Sequence, residues 1–256
     1  MIDNHAKAAL RADRPVLAIT VNFVHPGLAE YLARLGFGCL VIDAEHGAVN
    51  DAVLENVVRA AELGGAITLL RLPVNDPLMQ RYLGIGVAGF HVPQVGSAAA
   101  ARAAIDAIKF APAGHRGLGS FRAADFGLSL GTWPDYMRRA NENTLVIVAI
   151  EDPDGVAALP ELVAMPEIDV VLIGTSDLSA SLGFPGQTKH PAVLEIVDRA
   201  IGTIRAAGKT VGLPASSAAD IREVYDRGAR FILTSVARAL PVGTNELLGT
   251  MRGLAS

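Results

Sequence analysis

A closed parallel (β/α)8 barrel, also called a TIM barrel, is the fold this chain predicts, on three observations. Short β-rich runs alternate with Ala-rich amphipathic segments from end to end. Eight such pairs fit within 256 residues, the length of one barrel of this kind. The β-rich runs are nearly pure Val, Ile and Leu, as strands covered on both faces must be, and their polar residues gather at one end. An open doubly wound sheet is the alternative. It usually carries a Gly-rich first turn, whereas the first run here leads into N-F-V-H-P-G with no G-x-G-x-x-G.

The strands read as 16–23, 39–45, 67–72, 89–93, 144–151, 170–177, 210–215 and 231–236. The helices between them read as 27–36, 51–63, 76–83, 97–109, 154–164, 190–207, 218–228 and 244–254. Most of the strands are rich in β-branched residues, which suit a pleated, packed surface. The first helix stops at Gly36, and the second opens after Asn50 and stops at Gly64. Asp76-Pro77 opens the third with a proline suited to the first turn, and the fourth is the Ala-rich SAAAARAAIDAI. His190-Pro191 resembles another helix start, and Gly208 stops that helix. The exception to this rhythm is 111–143, a long irregular insertion of the kind that is usually functional or an interface. No boundary or repeat divides the chain, so residues 1–256 read as one domain.

Composition narrows the function. Hydrophobic residues make up 51% of the chain, enough for a sizeable core. The net charge is −4 with no basic stripe, which argues against nucleic acid and anionic membrane surfaces as partners. No apolar run reaches the roughly 18 residues of a membrane span. The start, MIDNHAKAALRADRP, lacks the apolar core of a signal peptide, so the expected location is cytoplasmic. Cys39 is the only cysteine; an intramolecular disulfide is impossible, and a buried inert thiol is expected.

In such a barrel the chemistry sits where strands end. The polar residues there are Asn22, Asp43, Glu45, His46, Arg71, Gln94, Glu151 and Asp177, whereas the opposite ends offer little beyond Arg14, Thr144 and Lys209. Glu151 and Asp177 close apolar runs, where an unpaired charge is costly. A hard divalent cation is one partner for them: magnesium or manganese, with cobalt a further candidate. Helix capping or an arginine partner is the other reading. Asp43 and His46 lie three residues apart and suit a general base oriented by a carboxylate, or a surface histidine beside an acid. Arg71 can grip a carboxylate or stabilise an oxyanion, or pair with Glu45 or Glu151.

Two absences count as well. None of Lys7, Lys109, Lys189 and Lys209 lies at the polar rim, which excludes Schiff-base chemistry. The loops after the last two strands, PASSAAD and VARALPVG, lack the Gly-rich character of a phosphate site. Among the other histidines, His25 is a candidate peripheral contact, and His91 reads as a satisfied core or helix-facing residue.

Six ordered motifs carry a resemblance: V-I-D-A-E-H (41–46), R-L-P-V-N-D-P (71–77), V-P-Q-V (92–95), A-P-A-G-H-R-G-L-G (111–119), A-I-E (149–151) and I-G-T-S-D-L-S (173–179). With them the chain resembles the HpcH/HpaI family of class II, metal-dependent pyruvate aldolases, from about residue 14 to its end. The resemblance implies that Glu151 and Asp177 bind the metal. It implies that Gly174, Thr175 and Ser176 hold a 2-oxo acid by its carboxylate, with Arg71 at the keto oxygen. His46 with Asp43 would then take the C4-hydroxyl proton of a 4-hydroxy-2-oxo acid, giving an aldehyde and a pyruvate enolate. Ala149 stands where many relatives have glutamine, and Gly84 where they commonly have aspartate. Small-molecule substrates and a homo-oligomer, a hexamer in many relatives, are also implied. Two further readings stay open: a citrate-lyase-like acyl-CoA lyase, and a non-catalytic barrel that binds 2-oxo acids.

Overall fold

The computed structural model describes residues 3–74 and 76–254. Its centre is a closed barrel of eight parallel strands in sequence order. These are β1 Val16–Val21, β2 Cys39–Asp43, β3 Ile67–Arg71, β4 Gly89–Val92, β5 Leu145–Ile150, β6 Val170–Ile173, β7 Thr210–Pro214 and β8 Ala229–Ser235. Pairing of β1 with β8, from Val16↔Phe231 to Thr20↔Ser235, closes the ring. The predicted (β/α)8 barrel is therefore the observed fold.

Around it run α1 His5–Arg11, α2 Pro26–Arg34, α3 Asp51–Leu63, α4 Met79–Ile85 and α5 Ala98–Ile108. They are followed by α6 Trp133–Asn143, α7 Pro153–Val163, α8 Thr175–Ser181, α9 Pro191–Ala206, α10 Ala218–Asp226 and α11 Val236–Leu254. None of the described helices is long and apolar enough to cross a membrane.

Period-two alternation sorts each strand into two environments. Outward residues such as Leu40, Ile42, Leu70, Phe90, Val146 and Val148 join the layer shared with the helices. Inward residues such as Cys39, Val41, Ile67, Leu69, Ile147 and Leu172 fill the barrel. Burial pushes the Cys39 thiol up to about 12, so it is inert, as expected. Toward the strand ends the inward positions turn polar. Asp43, Arg71 and His91 form one inward row across β2, β3 and β4, in register as Asp43↔Arg71 and Arg71↔His91.

Four elements differ from the sequence reading. The run 170–177 is not one strand: β6 stops at Ile173, and α8 begins after Gly174. Asp177 therefore sits in the first turn of a helix, where an acid meets the positive end of the helix dipole. The stretch 111–143 is irregular only in its first part, around a 3-10 turn at Arg122–Gly127, and then forms α6. That helix buries only Tyr136 and Ala140, so it leaves a faint apolar period despite its Thr132 cap. The short α1 is capped by Asn4 and covers the far end of the barrel. The last helix begins at Val236, directly after β8, rather than at 244.

Candidate active site

The cavity at the strand ends has a volume of about 390 Å³ and is lined by Thr20, Asn22, His46, Arg71, His91 and Glu151, with Gly174 to Asp177 on one side and Ser235 and Arg238 on another. Its most rigid part is an arginine clamp. Arg71 Nε donates to Asp43 Oδ1 at 3.0 Å and Nη2 donates to Asp43 Oδ2 at 2.6 Å, a two-point pairing of the fork with the carboxylate. The N–H groups of Glu45 and His46 donate to Asp43 Oδ1, both at 3.2 Å. Burial works against the charge on Asp43, yet Arg71 and those N–H groups hold its carboxyl below the usual range. Arg71 in turn stays charged, because Asp43, Glu45 and Glu151 outweigh its burial.

This geometry corrects the expected Asp43–His46 pair. Asp43 binds the His46 backbone and orients Arg71. The acid beside the imidazole is Glu45, whose Oε2 lies 3.7 Å from His46 Nε2 and 3.4 Å from Arg71 Nε. The reason is local. Asp43 ends β2 facing inward beside Arg71, while the turn that follows carries the His46 side chain out to 68% exposure.

Glu151 follows the last residue of β5 and is half-buried. Gln94, with a left-handed φ of 52°, aims its backbone N–H at Glu151 Oε2 at 2.9 Å and its side-chain amide at Glu45 Oε1 at 3.2 Å. Burial pushes the Glu151 carboxyl up to about 6; Asp177 and Glu45 add to this, and the Gln94 N–H and Arg71 oppose it. A Cβ on Gly174 would lie 2.6 Å from Glu151 Cγ and 2.7 Å from Oε1, so only glycine lets this side chain through. The first turn of α8 has no side-chain cap, and its residues Thr175 and Ser176 line the cavity, while the Gly174 N–H donates to Ile150 O at 3.0 Å.

A desolvated carboxylate whose protonation is favoured by a second acid is the environment that a bound cation would relax. Among the described residues, no group of three or more His, Cys, Asp and Glu side chains is placed to hold a metal. Glu151 and Asp177 line the same cavity, and Asp177 raises the cost of charge on Glu151, which makes them a pair of oxygen donors whose chemistry suits a hard divalent ion.

The remaining candidates fall into place. His25 does not face the cavity chemistry: its ring caps α2 by accepting from Gly27 N at 3.1 Å. Lys7, Lys109 and Lys209 are at the opposite end of the barrel, bonded to carbonyls of Thr144, Asn141, Met165 and Ile168. Burial pushes Lys109 down to about 7 without bringing it near the site. Asn75 of the arginine motif lies outside the described residues. His91 departs from its expected role as a satisfied core residue: it is 2% exposed, lines the cavity, and neither ring nitrogen has a hydrogen-bond partner among the described residues. Its inward parity with Arg71 was the available signal.

Comparison with known proteins finds relatives along almost the whole chain. The HpcH/HpaI aldolase/citrate lyase family model matches residues 20–239. A 4-hydroxy-2-oxo-heptane-1,7-dioate aldolase of Shigella flexneri is 33% identical over 259 residues, covering 100% of this chain and 95% of that protein. Among solved structures, an HpcH/HpaI aldolase/citrate lyase family protein from Burkholderia cenocepacia J2315 superposes with a TM-score of 0.89 at 30% identity, covering 97% of this chain and 99% of the other. The citrate synthase SbnG superposes at 0.86 with 28% identity, covering 97% and 98%.

Proposed function

The chain belongs to the HpcH/HpaI aldolase/citrate lyase family, and from that premise we propose that it is a divalent-metal-dependent aldolase that cleaves or forms the C3–C4 bond of 4-hydroxy-2-oxo acids. Pyruvate and an aldehyde stand on the other side of the reaction. The observation that carries the reading is the union, in one cavity, of the Glu151 and Asp177 carboxylates with an Arg71 locked in place by Asp43. Magnesium or manganese suits the two oxygen donors, with cobalt a further candidate. When bound there, the ion supplies Lewis acidity to the carboxylate and keto oxygens of the 2-oxo acid.

The chain's own residues divide the rest of the work. Thr175 and Ser176 offer the N–H groups of the first turn of α8 to the substrate carboxylate, and Gly174, whose own N–H is held by Ile150 O at 3.0 Å, is the turn that presents them. Arg71 keeps its unpaired N–H groups for the keto oxygen, where negative charge grows as the C3–C4 bond breaks and an enolate forms. His46 takes the C4-hydroxyl proton, its ring steadied by Glu45. Asp43 acts one step removed, as the residue that fixes Arg71. In the synthetic direction the same groups hold the enolate while His46 returns the proton to the new hydroxyl. The reading includes a cytoplasmic homo-oligomer, a hexamer by resemblance, and the exposed apolar side of α11 supports self-association.

Deuterium exchange into the pyruvate methyl group, followed by NMR with and without a chelator, tests this directly. The expected result is rapid exchange that a chelator stops and added Mg²⁺ or Mn²⁺ restores. No exchange with any of these ions would remove the aldolase reading.

A further inference from the structure

We infer that His91 is a further substrate-binding residue of this cavity, donating a ring N–H to the oxygen of a bound 2-oxo acid that Arg71 also faces. The identity of the ligand rests on the aldolase reading; the need for a ligand rests on the histidine itself. The ring lies at an inward position of β4, directly beside Arg71 across the β3–β4 ladder and beside Ile147 across the β4–β5 ladder. At 2% exposure it has almost no bulk water, and both ring nitrogens lack a hydrogen-bond partner among the described residues.

An imidazole in this state is costly, because a buried donor or acceptor without a partner forfeits its hydration. On the side away from Arg71 the inward neighbours Ile147 and Leu172 are apolar, and an aliphatic side chain would satisfy packing there at no such cost. A buried histidine that only packs is normally bonded on at least one nitrogen. What distinguishes His91 is that it lines the same cavity as Arg71 and Glu151.

The chemistry of the position selects the ligand. Burial first, and then the neighbouring Arg71 charge, push the ring down to about 3, with Asp43 opposing, which favours the neutral ring. A neutral imidazole has one N–H to give. The carboxylate and keto oxygens of a 2-oxo acid accept only, so ligand binding selects the tautomer that donates into the cavity. Arg71 meets Asp43 through Nε and Nη2, which leaves Nη1 outside that pairing, and Arg71 lines the same cavity as His91. The substrate oxygen would thus be held by one charged and one neutral donor, and the neutral one adds direction without adding charge beside the metal site.

Ring-nitrogen NMR of the full-length enzyme with Mg²⁺, labelled with ¹⁵N at histidine, tests the inference. The His91 signals are assigned by their loss in His91→Gln, and the wild type is titrated with pyruvate and, separately, with oxalate. Saturation with either ligand should move one His91 ring nitrogen toward a hydrogen-bonded donor while the ring stays neutral. In methyl-exchange kinetics, His91→Leu should raise the KM for pyruvate about tenfold with kcat changed much less, and His91→Gln should recover most of the loss. Ring signals unmoved at saturation, or wild-type KM in a folded His91→Leu, would overturn the assignment. If His91→Leu does not fold, the wild-type titration alone decides. Failure of the aldolase reading would show separately, as wild-type enzyme without methyl exchange, and oxalate would still report on His91.

Discussion

At the scale of single residues, Glu151 sets a pH signature that can be measured without turnover. Its carboxyl is pushed up to about 6 from an ordinary 4.5, chiefly by burial. Between those values the folded protein binds more protons than the unfolded chain, so stability falls as pH rises through the window. A shift of this size corresponds to about 2 kcal/mol. In metal-free protein, urea unfolding from pH 4.5 to 7 should show this decline in the wild type, and Glu151→Gln should remove it. Parallel profiles for the two proteins would show that Glu151 is not desolvated as described. His46 makes a different prediction, since its proposed target is the C4 hydroxyl and not the pyruvate methyl. His46→Ala should slow aldol cleavage by about 100-fold or more, in line with loss of a general base, and leave methyl exchange within a few fold of wild type. Equal losses in both assays would count against that role. The sequence carried the residue types of this site well, because strand-end acids and an arginine stand out against Val and Ile. It carried their pairing only in part: Arg71 does meet Glu45, at 3.4 Å, one of the two acids it suggests. D-A-E-H suggests that Asp43 serves His46, and only the β2–β3 register shows that Asp43 instead meets Arg71.

At the scale of elements, the link between β6 and α8 decides where the second carboxylate stands. Strand and helix read as one run in the sequence because V-V-L-I-G-T-S-D keeps an apolar start and only one glycine, with nothing in the pattern to say that Gly174 turns the chain. The glycine has a second duty, since a methyl there would collide with Glu151 Cγ at 2.6 Å. Gly174→Ala should therefore displace Glu151 and weaken divalent metal binding about 10- to 100-fold, as losses at groups that position a ligand commonly do. Calorimetric titration with Mn²⁺ reads this. Gly202→Ala, in α9 with nothing within 4 Å of the added Cβ, is the control and should leave binding unchanged. Equal affinity in both variants would mean that Glu151 does not need the space. The same limits of local pattern hid α6 and α1. Each is fixed by a cap and a few long-range contacts: Lys7 Nζ, for example, reaches Thr144 O and Asp169 Oδ2, both at 2.8 Å.

For the whole molecule, the barrel was legible because every strand must be apolar on both faces, a constraint that writes itself into eight separated runs. The last helix was legible only in part, because its apolar residues do not face the barrel. Of the 19 residues in α11, only Val236 is buried, whereas α9 buries Val193, Val197, Ala200, Ile201 and Ile204 against the core. Leu240, Val242, Leu247, Leu248, Met251 and Leu254 are each more than half exposed. A helix that also contains Pro241, Gly243, Gly249 and Gly253 has little intrinsic stability and needs its apolar side covered. A second copy of the chain is the cover expected from the proposed homo-oligomer, since contiguous apolar surface of this kind marks an interface. Sedimentation velocity should then show an oligomer for the wild type. Leu247→Lys combined with Leu248→Lys should shift it toward monomer and reduce helical circular dichroism by about the content of one helix. The barrel itself, reported by urea unfolding, should stay folded. A wild type that sediments as a monomer with α11 fully helical would show that the helix stands without a partner.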